Sequence, residues 1–239
     1  LGAVAYPTDA LGTAWKRVVL HQFHDDLTST SIPRAYEFSW NDELLSLKQF
    51  TDILTTSVSA VASRMSTKTK GTPLVLFNAH AYPVSDIAEI VMPANGSKGY
   101  KVLDAKGKAV ASQSVVGEDG KTHLLIDAHA AASGFEVYDV VKSGSASMTS
   151  PRQANTVENS VYKLTLDSNG DISSLIYKQT GKELVEQGKT IRLAMFTDNK
   201  SYDYPAWELM KATIDAAPVS IKENVKVSLI ENGALRKTL

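Results

Sequence analysis

Two histidines and two aspartates stand within six positions of the stretch 21–30, which reads HQFHDDLTST. Imidazole nitrogens and carboxylate oxygens together suit Zn²⁺ or a similar divalent ion. If a helix continued through Asp25, then His21, His24 and Asp25 would lie within one turn. A metal ion would still need ligands from elsewhere in the molecule, because one short stretch supplies too few. The stretch lacks the glutamate of the HExxH pattern, which argues against a metalloprotease.

The same residues have a purely structural interpretation. Histidines near the C-terminal end of a helix interact favourably with the helix dipole, and Asp or Thr can cap a following helix. Spacing alone leaves both interpretations open. The remaining histidines, His80, His123 and His129, have no carboxylate partner at metal-site spacing, so we interpret them as structural.

A first predicted helix leads into this stretch. From Asp9 to about His24 the apolar residues recur at spacings of three and four, as they do on one face of a helix. Thr8 or Asp9 can cap its N-terminus, just after Pro7. The run of Ser and Thr that follows Asp25 competes for backbone hydrogen bonds and favours a loop. The acidic and imidazole groups therefore stand where a helix gives way to a loop.

A second, longer helix is predicted after the loop. It begins at Ser31, with Pro33 in the first turn, where the missing N–H of proline has no cost. It continues to about Met65. The residues predicted to form its buried apolar stripe are Leu47, Phe50, Leu54, Val58 (or Ser57), Val61 and Met65. Two helices joined in this way are expected to pack as an antiparallel pair.

The rest of the chain has the pattern of short β-strands. The clearest element is a hairpin in which residues 161–166 alternate, Asn169-Gly170 supplies the positive φ angles of a tight turn, and residues 172–177 return. Many short strands at this spacing indicate an antiparallel β-sandwich, because a doubly wound sheet would need alternating helices. Two further connections are predicted, a turn at 93–96 and a long polar segment at 142–156.

These patterns together predict an α+β fold, with an antiparallel helical pair or bundle followed by an antiparallel β-sandwich. We assign residues 1–67 to a partial helical domain, 68–73 to a polar linker and 74–239 to the β-sandwich domain. The chain has no initiator methionine, and its last residues fall within a predicted strand pair. We therefore interpret it as an internal piece of a longer protein, with a β-sandwich truncated at its C-terminus.

Composition excludes several classes of function. The formal net charge of −1 argues against nucleic acid or an anionic membrane as a partner, because both normally require a basic surface. No apolar run approaches the ~18–20 residues that span a bilayer. The chain has no cysteine, so disulfides, thiolate metal sites and cysteine nucleophiles are all excluded.

The chemistry-bearing stretch has a wider context that resembles a known family. Ala14-Trp15, then Gln22-Phe23-His24-Asp25 and the Thr/Ser loop, are similar to glycoside hydrolase family 38, the α-mannosidases. That family usually has glycine where Ser29 stands, and alanine or isoleucine where Asp26 stands. Four later motifs follow in the family's order: LVLFNAHAYP at 74–83, GFEVY at 134–138, the hairpin region 157–183 with its Thr-Gly-Lys-Glu, and YPAWE at 204–208.

The resemblance implies retaining hydrolysis of α-mannosidic bonds in oligosaccharides. By match to the motif, His24 would be a zinc ligand and Asp25 would bind hydroxyl groups of mannose. The nucleophile, the acid/base residue and the other zinc ligands would belong to an N-terminal catalytic domain of the same protein, with no counterpart in this chain. The chain would then contain no catalytic residue. By itself it is expected neither to hydrolyse mannosides nor to bind zinc tightly.

Two rival functions remain open. One is a carbohydrate-binding or structural accessory module with the same helices and sandwich, and the other is a different sugar hydrolase with a related β region. We interpret His21 as structural and favour a solvated helix-end carboxylate for Asp26 over an acceptor for a histidine. For Tyr202, Tyr204 and Trp207 we favour a packing role over stacking on a sugar.

Overall fold

The computed structural model describes residues 4–93, 99–143, 152–196, 199–205 and 207–239. They group into two compact units: a helical unit of residues 1–66 with 196–218, and a β-rich unit of residues 67–195 with 219–239. Helices come first along the chain and several antiparallel sheets follow, which confirms the α+β class with a β-sandwich region. The domain boundaries assigned above stay predictions.

Some features lie outside the described residues. The turn predicted at 93–96 and the middle of the polar connection at 142–156 are among them. Within the described ranges, no helix combines the length and the apolar character that a bilayer crossing requires.

The first helix, α1 (Thr8–Leu20), is shorter than predicted. The amides of Gln22 and Phe23 donate to carbonyls three residues back, at 3.2 Å each, so the chain tightens into a turn. Phe23 then adopts an extended conformation with ψ of 142°, and a separate one-turn helix, α2 (His24–Leu27), begins. The prediction of a continuous helix to about His24 is therefore wrong, because the turn reorients the chain before the His-Asp pair.

The starts of the two long helices were predicted with unequal success. Pro7 occupies the N-cap of α1 without a side-chain hydrogen bond, so the predicted cap at Thr8 or Asp9 is wrong. The long helix α3 (Pro33–Ala62) does place its proline in the first turn. Its 30 residues give a length of roughly 45 Å at ~1.5 Å per residue, and it ends at Ala62, three residues before the predicted end at about Met65.

Helices α1 and α3 pack through small side chains. Ala14 and Ser46 are 0% and 1% exposed, and the Ser46 hydroxyl oxygen lies 3.4 Å from the Ala14 carbonyl oxygen. Beside them, Trp15 meets Phe50 edge-on with ring centroids 5.3 Å apart. The small residues let the two helix backbones approach closely at this point.

The predicted apolar stripe of α3 is only partly correct. Phe50 does contact α1, but Leu47 and Leu54 are each 63% exposed. Serine is not apolar, so the pattern of apolar residues did not reveal that Ser46 is buried. The pattern placed the buried stripe on Leu47 and Leu54. The packed row instead passes through Ser46, whose hydroxyl is satisfied by the Asp42 carbonyl at 2.8 Å.

Two antiparallel sheets form the core of the β-rich unit. One has the order β1-β7-β3-β4 and the other the order β2-β6-β5. Their strands are β1 (Thr72–Asn78), β2 (Val84–Val91), β3 (Gly99–Leu103), β4 (Ala109–Val110), β5 (Ser112–Val116), β6 (Thr122–Ala130) and β7 (Gly134–Ser143).

Side chains of both sheets meet in one hydrophobic cluster, which makes this region a sandwich. The cluster consists of Met92, Val102, Leu124, Ile126, Ala128, Tyr138 and Val140. The Tyr138 hydroxyl adds a polar link between the sheets, because it accepts from the His129 amide at 2.9 Å and donates to the His129 carbonyl at 3.1 Å.

A third sheet contains the predicted hairpin. It has the order β11-β10-β9-β8, with β8 (Thr156–Glu158), β9 (Tyr162–Leu166), β10 (Ile172–Tyr177) and β11 (Lys182–Glu183). The hairpin β9–β10 is confirmed, but only Gly170 in its turn has a positive φ, of 78°. The Asp167 carboxylate holds the turn instead, since it accepts from the amides of Asn169 and Asp171 at 2.8 and 3.1 Å.

Short elements complete the chain. They are β12 (Ala194–Met195), α4 (Lys211–Asp215), β13 (Val219–Ser220), β14 (Glu231–Asn232) and β15 (Lys237–Thr238). The C-terminal hairpin β14–β15 is bound to β5 through Gln113, which is 8% exposed. The Gln113 amide oxygen accepts from the Leu235 and Arg236 amides at 3.0 Å each, and its NH₂ donates to the Arg236 carbonyl at 3.1 Å.

Glu183, the last residue of the Thr-Gly-Lys-Glu motif, holds the end of the third sheet. Its carboxylate accepts from the Ser174 hydroxyl at 2.6 Å and from the amides of Leu175 and Val185 at 2.8 and 3.0 Å. These hydrogen bonds, with that of Ser174 the strongest, lower the pKa of Glu183 to about 2. The glutamate of the family motif therefore has a structural role.

We expect Glu183 to make the stability of the β-rich unit depend on pH. Its pKa is lower in the folded than in the unfolded state, so its contribution is complete above about 4.5 and is lost as pH falls towards about 2. The free energy of unfolding of Glu183→Gln should fall below that of wild type at neutral pH and converge with it near pH 2. Denaturant unfolding across this range measures the difference. A constant difference at all pH values would contradict the prediction, and the exposed Glu186→Gln is the control.

Candidate functional site

The His24 side chain stands on the first residue of α2 and faces solvent. It is 74% exposed, and its ring lies against that of Phe23 with centroids 4.3 Å apart. Its Nε2 atom lies 3.4 Å from Oδ2 of Asp25. The imidazole is thus accessible to a ligand and is directed towards a neighbouring carboxylate.

Asp25 is held more firmly, at both its backbone and its side chain. Its carbonyl oxygen accepts from the Tyr36 hydroxyl of α3 at 3.2 Å and from the Thr30 amide at 3.2 Å. Its Oδ1 atom accepts from the Thr30 hydroxyl at 3.2 Å. The carboxylate is 34% exposed, so Oδ2 beside His24 remains available to an incoming group.

The loop after α2 explains why the family usually has glycine where this chain has Ser29. Ser29 adopts a φ of +60°, in the left-handed region that glycine enters without strain. Its amide donates to the Asp26 carbonyl at 3.0 Å, and the Thr28 hydroxyl donates to the His24 carbonyl. The Thr/Ser run therefore folds back on α2 and closes the turn that presents His24 and Asp25.

Asp26 is turned inwards, so the preference for a solvated carboxylate is wrong. Its side chain is 17% exposed, and Oδ2 receives Nδ1 of His21 at 2.6 Å and the Ser39 hydroxyl at 2.7 Å. His21 also places Nε2 3.4 Å from Oδ2 of Asp42. The hydrogen bond from Ser39 and the one from His21 lower the pKa of Asp26. The structural interpretation of His21 is consistent with these contacts.

Three residues that contact this motif were not predicted from the sequence: Tyr36, Ser39 and Asp42. Tyr36 and Ser39 stand 11 and 13 residues beyond the groups they bind, on a helix whose polar positions show no special spacing. Only the fold of α2 against α3 brings them to the motif.

Two of the three histidines outside the motif, His123 and His129, have acidic partners, so the prediction that they lack them is wrong. His123 on β6 places Nδ1 2.7 Å from Glu89 of β2 and Nε2 3.1 Å from Asp119, and these two partners, Asp119 foremost, raise its pKa. His129 places Nε2 3.7 Å from Asp127 and Nδ1 2.7 Å from Ser85. The partner Glu89 lies on the adjacent strand, so sequence spacing could not reveal it.

A complete metal centre is not found in the described part of the chain. No three His, Asp or Glu side chains there are grouped so that they could hold an ion by themselves. The exposed imidazole of His24 nevertheless has the chemistry of a zinc ligand. His24 could therefore supply one ligand of a zinc site, and the other ligands would have to come from elsewhere.

The aromatic residues near the C-terminal part of the helical unit are exposed. Tyr202, Tyr204 and Trp207 are 92%, 62% and 66% exposed. Asn199 organises their loop, since its Oδ1 accepts from the Met210 amide at 2.9 Å. The packing role predicted for these rings stays a prediction.

Comparison with known proteins supports the resemblance noted in the sequence. Residues 157–239 match the family model of the Glycosyl hydrolases family 38 C-terminal domain. Alpha-mannosidase G of Dictyostelium discoideum is 26% identical over 263 residues, which cover 95% of this chain and 23% of that relative. The chain thus spans about a quarter of the length of this relative. Together with the ordered motifs and the α+β architecture, these matches show that the chain is similar to the α-mannosidases of glycoside hydrolase family 38, and that its residues 157–239 correspond to that family's C-terminal domain.

Proposed function

We propose that this chain supplies one metal ligand, His24, and one sugar contact, Asp25, to the active site of a zinc-dependent retaining α-mannosidase. The observation that carries the proposal is the outward-facing pair itself. A side chain 74% exposed beside a carboxylate 34% exposed is available to groups outside this chain's own core. A pair buried in that core would instead have favoured a structural role.

The pair has the donor chemistry that such a site requires. A neutral imidazole binds zinc through one ring nitrogen, and zinc supplies Lewis acidity towards the hydroxyl groups of the sugar. Oδ2 of Asp25 lies 3.4 Å from Nε2 of His24, so a sugar hydroxyl held next to His24 could donate a hydrogen bond to Asp25.

Retaining hydrolysis needs two further carboxyl groups, about 5–5.5 Å apart, as nucleophile and acid/base. We assign neither to this chain. By the family resemblance they belong to an N-terminal catalytic domain, which we propose as the partner of the helical unit. Large apolar side chains around the motif support such a partner, because five of them are more than half exposed: Trp15, Val19, Leu20, Phe23 and Leu27.

The proposal predicts that residues 1–239 alone are inactive, whereas the whole protein that contains them hydrolyses α-mannosides. We expect no turnover of an aryl α-mannoside by the purified chain, with or without added Zn²⁺, because we assign the nucleophile and the acid/base residue to another domain. The whole protein should lose activity on treatment with a chelator and regain it with Zn²⁺. Zinc-dependent turnover by the chain alone would overturn the division of roles. A whole protein that is inactive on α-mannosides would overturn the function.

A non-catalytic carbohydrate-binding module is the second candidate function. The exposed rings of Tyr202, Tyr204 and Trp207 favour it, since aromatic faces stack on sugars. Binding of a mannose oligosaccharide that survives His24→Ala but not Trp207→Ala would support this alternative.

A further inference from the structure

The helix that carries His24 and Asp25 cannot hold its own orientation. Helix α2 has four residues, whereas isolated helices shorter than ~12–15 residues are marginal in water. None of its residues is buried, so it has no apolar face that packs it in place. The direction of its side chains must therefore come from specific polar contacts with its neighbours.

Apart from the Tyr36 hydroxyl of α3, which donates to the Asp25 carbonyl, the polar contacts of α2 with the two long helices are made by the Asp26 side chain. One carboxylate oxygen, Oδ2, binds Nδ1 of His21 at 2.6 Å and the Ser39 hydroxyl at 2.7 Å. His21 follows the end of α1, and Ser39 lies on α3 with 4% of its surface exposed. The second ring nitrogen of His21 reaches Asp42 of α3 at 3.4 Å. A single imidazole, 9% exposed, thus joins the end of α1 to both α2 and α3.

This arrangement sets the rotation of α2 about its axis. Successive residues of a helix point about 100° apart, so a side chain fixed inwards determines where its neighbours point. With Asp26 fixed inwards, His24 and Asp25 are directed outwards. We propose that His21, acting through Asp26, is a positioning residue that orients the His24-Asp25 pair; its use in sugar hydrolysis rests on the function proposed above.

The chemistry of the ring adds a dependence on protonation. A neutral imidazole carries one N–H, so His21 can donate to both carboxylates only as the imidazolium. Burial lowers the pKa of His21, but the hydrogen bonds and charges of Asp26 and Asp42 outweigh it and raise the pKa above its usual value. Another charged side chain near this end of α1, Arg17, donates to the Gln49 side-chain oxygen at 3.2 Å.

The sign of the effect follows from linkage. A group whose pKa is raised by folding contributes fully below its unfolded pKa, and the contribution is lost as pH rises through the folded value. The attachment of α2 should therefore be firmest in mildly acidic solution and should loosen as His21 loses its proton.

NMR spectroscopy of residues 1–239, without metal or sugar, tests the positioning role. We expect the imidazole signal of His21 to titrate above the usual histidine range and the amide signals of Asp25 and Asp26 to follow the same curve. In the Asp26→Asn variant, the amide signals of residues 25 and 26 should no longer change with the protonation of His21. The proposal would be overturned if the His21 imidazole had a pKa at or below the usual histidine value. It would also be overturned if the wild-type amide signals of α2 did not change with the protonation of His21. The titration is measured on the wild-type chain, so the result does not depend on whether a variant folds.

Hydrogen exchange supplies the second measurement. His21→Gln should raise the exchange rates of the Asp26 and Leu27 amides on the order of 10-fold, with global unfolding little changed. His129→Gln, an exposed histidine of the β-rich unit, should leave these rates unchanged. Equal rates in wild type and His21→Gln would also overturn the proposal. Neither measurement uses a substrate. The positioning role of His21 can therefore be confirmed even if the proposed mannosidase function is wrong, and it can be disproved even if that function is correct.

Discussion

Replacing His24 by alanine is expected, on the function proposed above, to lower kcat/KM for an aryl α-mannoside by on the order of 1,000-fold in an enzyme that includes this chain. Removal of one preorganised electrostatic contact typically costs about 10²–10³ in rate, and a lost ligand also weakens the metal site. Because the side chain is 74% exposed here and makes no contact with the core, the free energy of unfolding of the chain should change by less than about 0.5 kcal/mol. This variant should therefore lose activity while its stability stays close to that of wild type.

Zinc content and a matched histidine distinguish this result from general damage. The whole His24→Ala protein should retain less zinc after dialysis, as measured by elemental analysis. His129→Ala removes another exposed histidine, in the β-rich unit, and should leave both activity and zinc content unchanged. If His24→Ala kept activity within threefold of wild type, His24 would not be a metal ligand.

Replacing Gly233 by alanine is expected to release the C-terminal hairpin. A Cβ atom at this position would stand 1.8 Å from Oε1 and 1.9 Å from Cδ of Gln113, so Gln113 would have to leave its place. Three hydrogen bonds between Gln113 and the hairpin would break. At about 1 kcal/mol net for each, the loss is about 3 kcal/mol, or roughly 100-fold faster exchange of the Leu235 and Arg236 amides. Hydrogen exchange measured by NMR provides the test.

A double-mutant cycle makes this prediction specific. Gln113→Ala should by itself accelerate exchange of the same amides, since it removes the same hydrogen bonds. In that background the alanine side chain at 233 has room, so Gly233→Ala should add little. Additive effects of the two substitutions would show that Gly233 acts through something other than Gln113. As a control, Gly12 has open space around its Cβ position on α1, and Gly12→Ala should stabilise the helix by up to about 1 kcal/mol.

Local sequence signals predicted the features whose causes are local. The hairpin β9–β10 was recognisable because alternation and a glycine with positive φ lie within a few residues. Pro33 marked the first turn of α3 for the same kind of reason, since its missing N–H is tolerated only there. The order of a helical part and a β-sandwich also followed from changes of periodicity along the chain.

Predictions failed where the deciding partner is distant in the chain. The packed face of α3 runs through Ser46 and not through Leu47, because Ser46 meets Ala14, 32 residues earlier. His123 has an acidic partner in Glu89, 34 residues away, and Arg236 binds the same glutamate across 147 residues. No periodicity records such pairs, since they are set by strand neighbours and helix contacts.

His24 and Asp25 are neighbours in the sequence, and a run of Ser and Thr follows them. Adjacency along the chain and the resemblance to family 38 were therefore enough to single out this pair. The directions in which the four acidic and imidazole side chains point depend instead on tertiary contacts. His21 and Asp26 turn inwards to Ser39 and Asp42, while His24 and Asp25 turn outwards. The physical reason is that a helix of one turn takes its orientation from the side chains that bind it, and those lie on another helix.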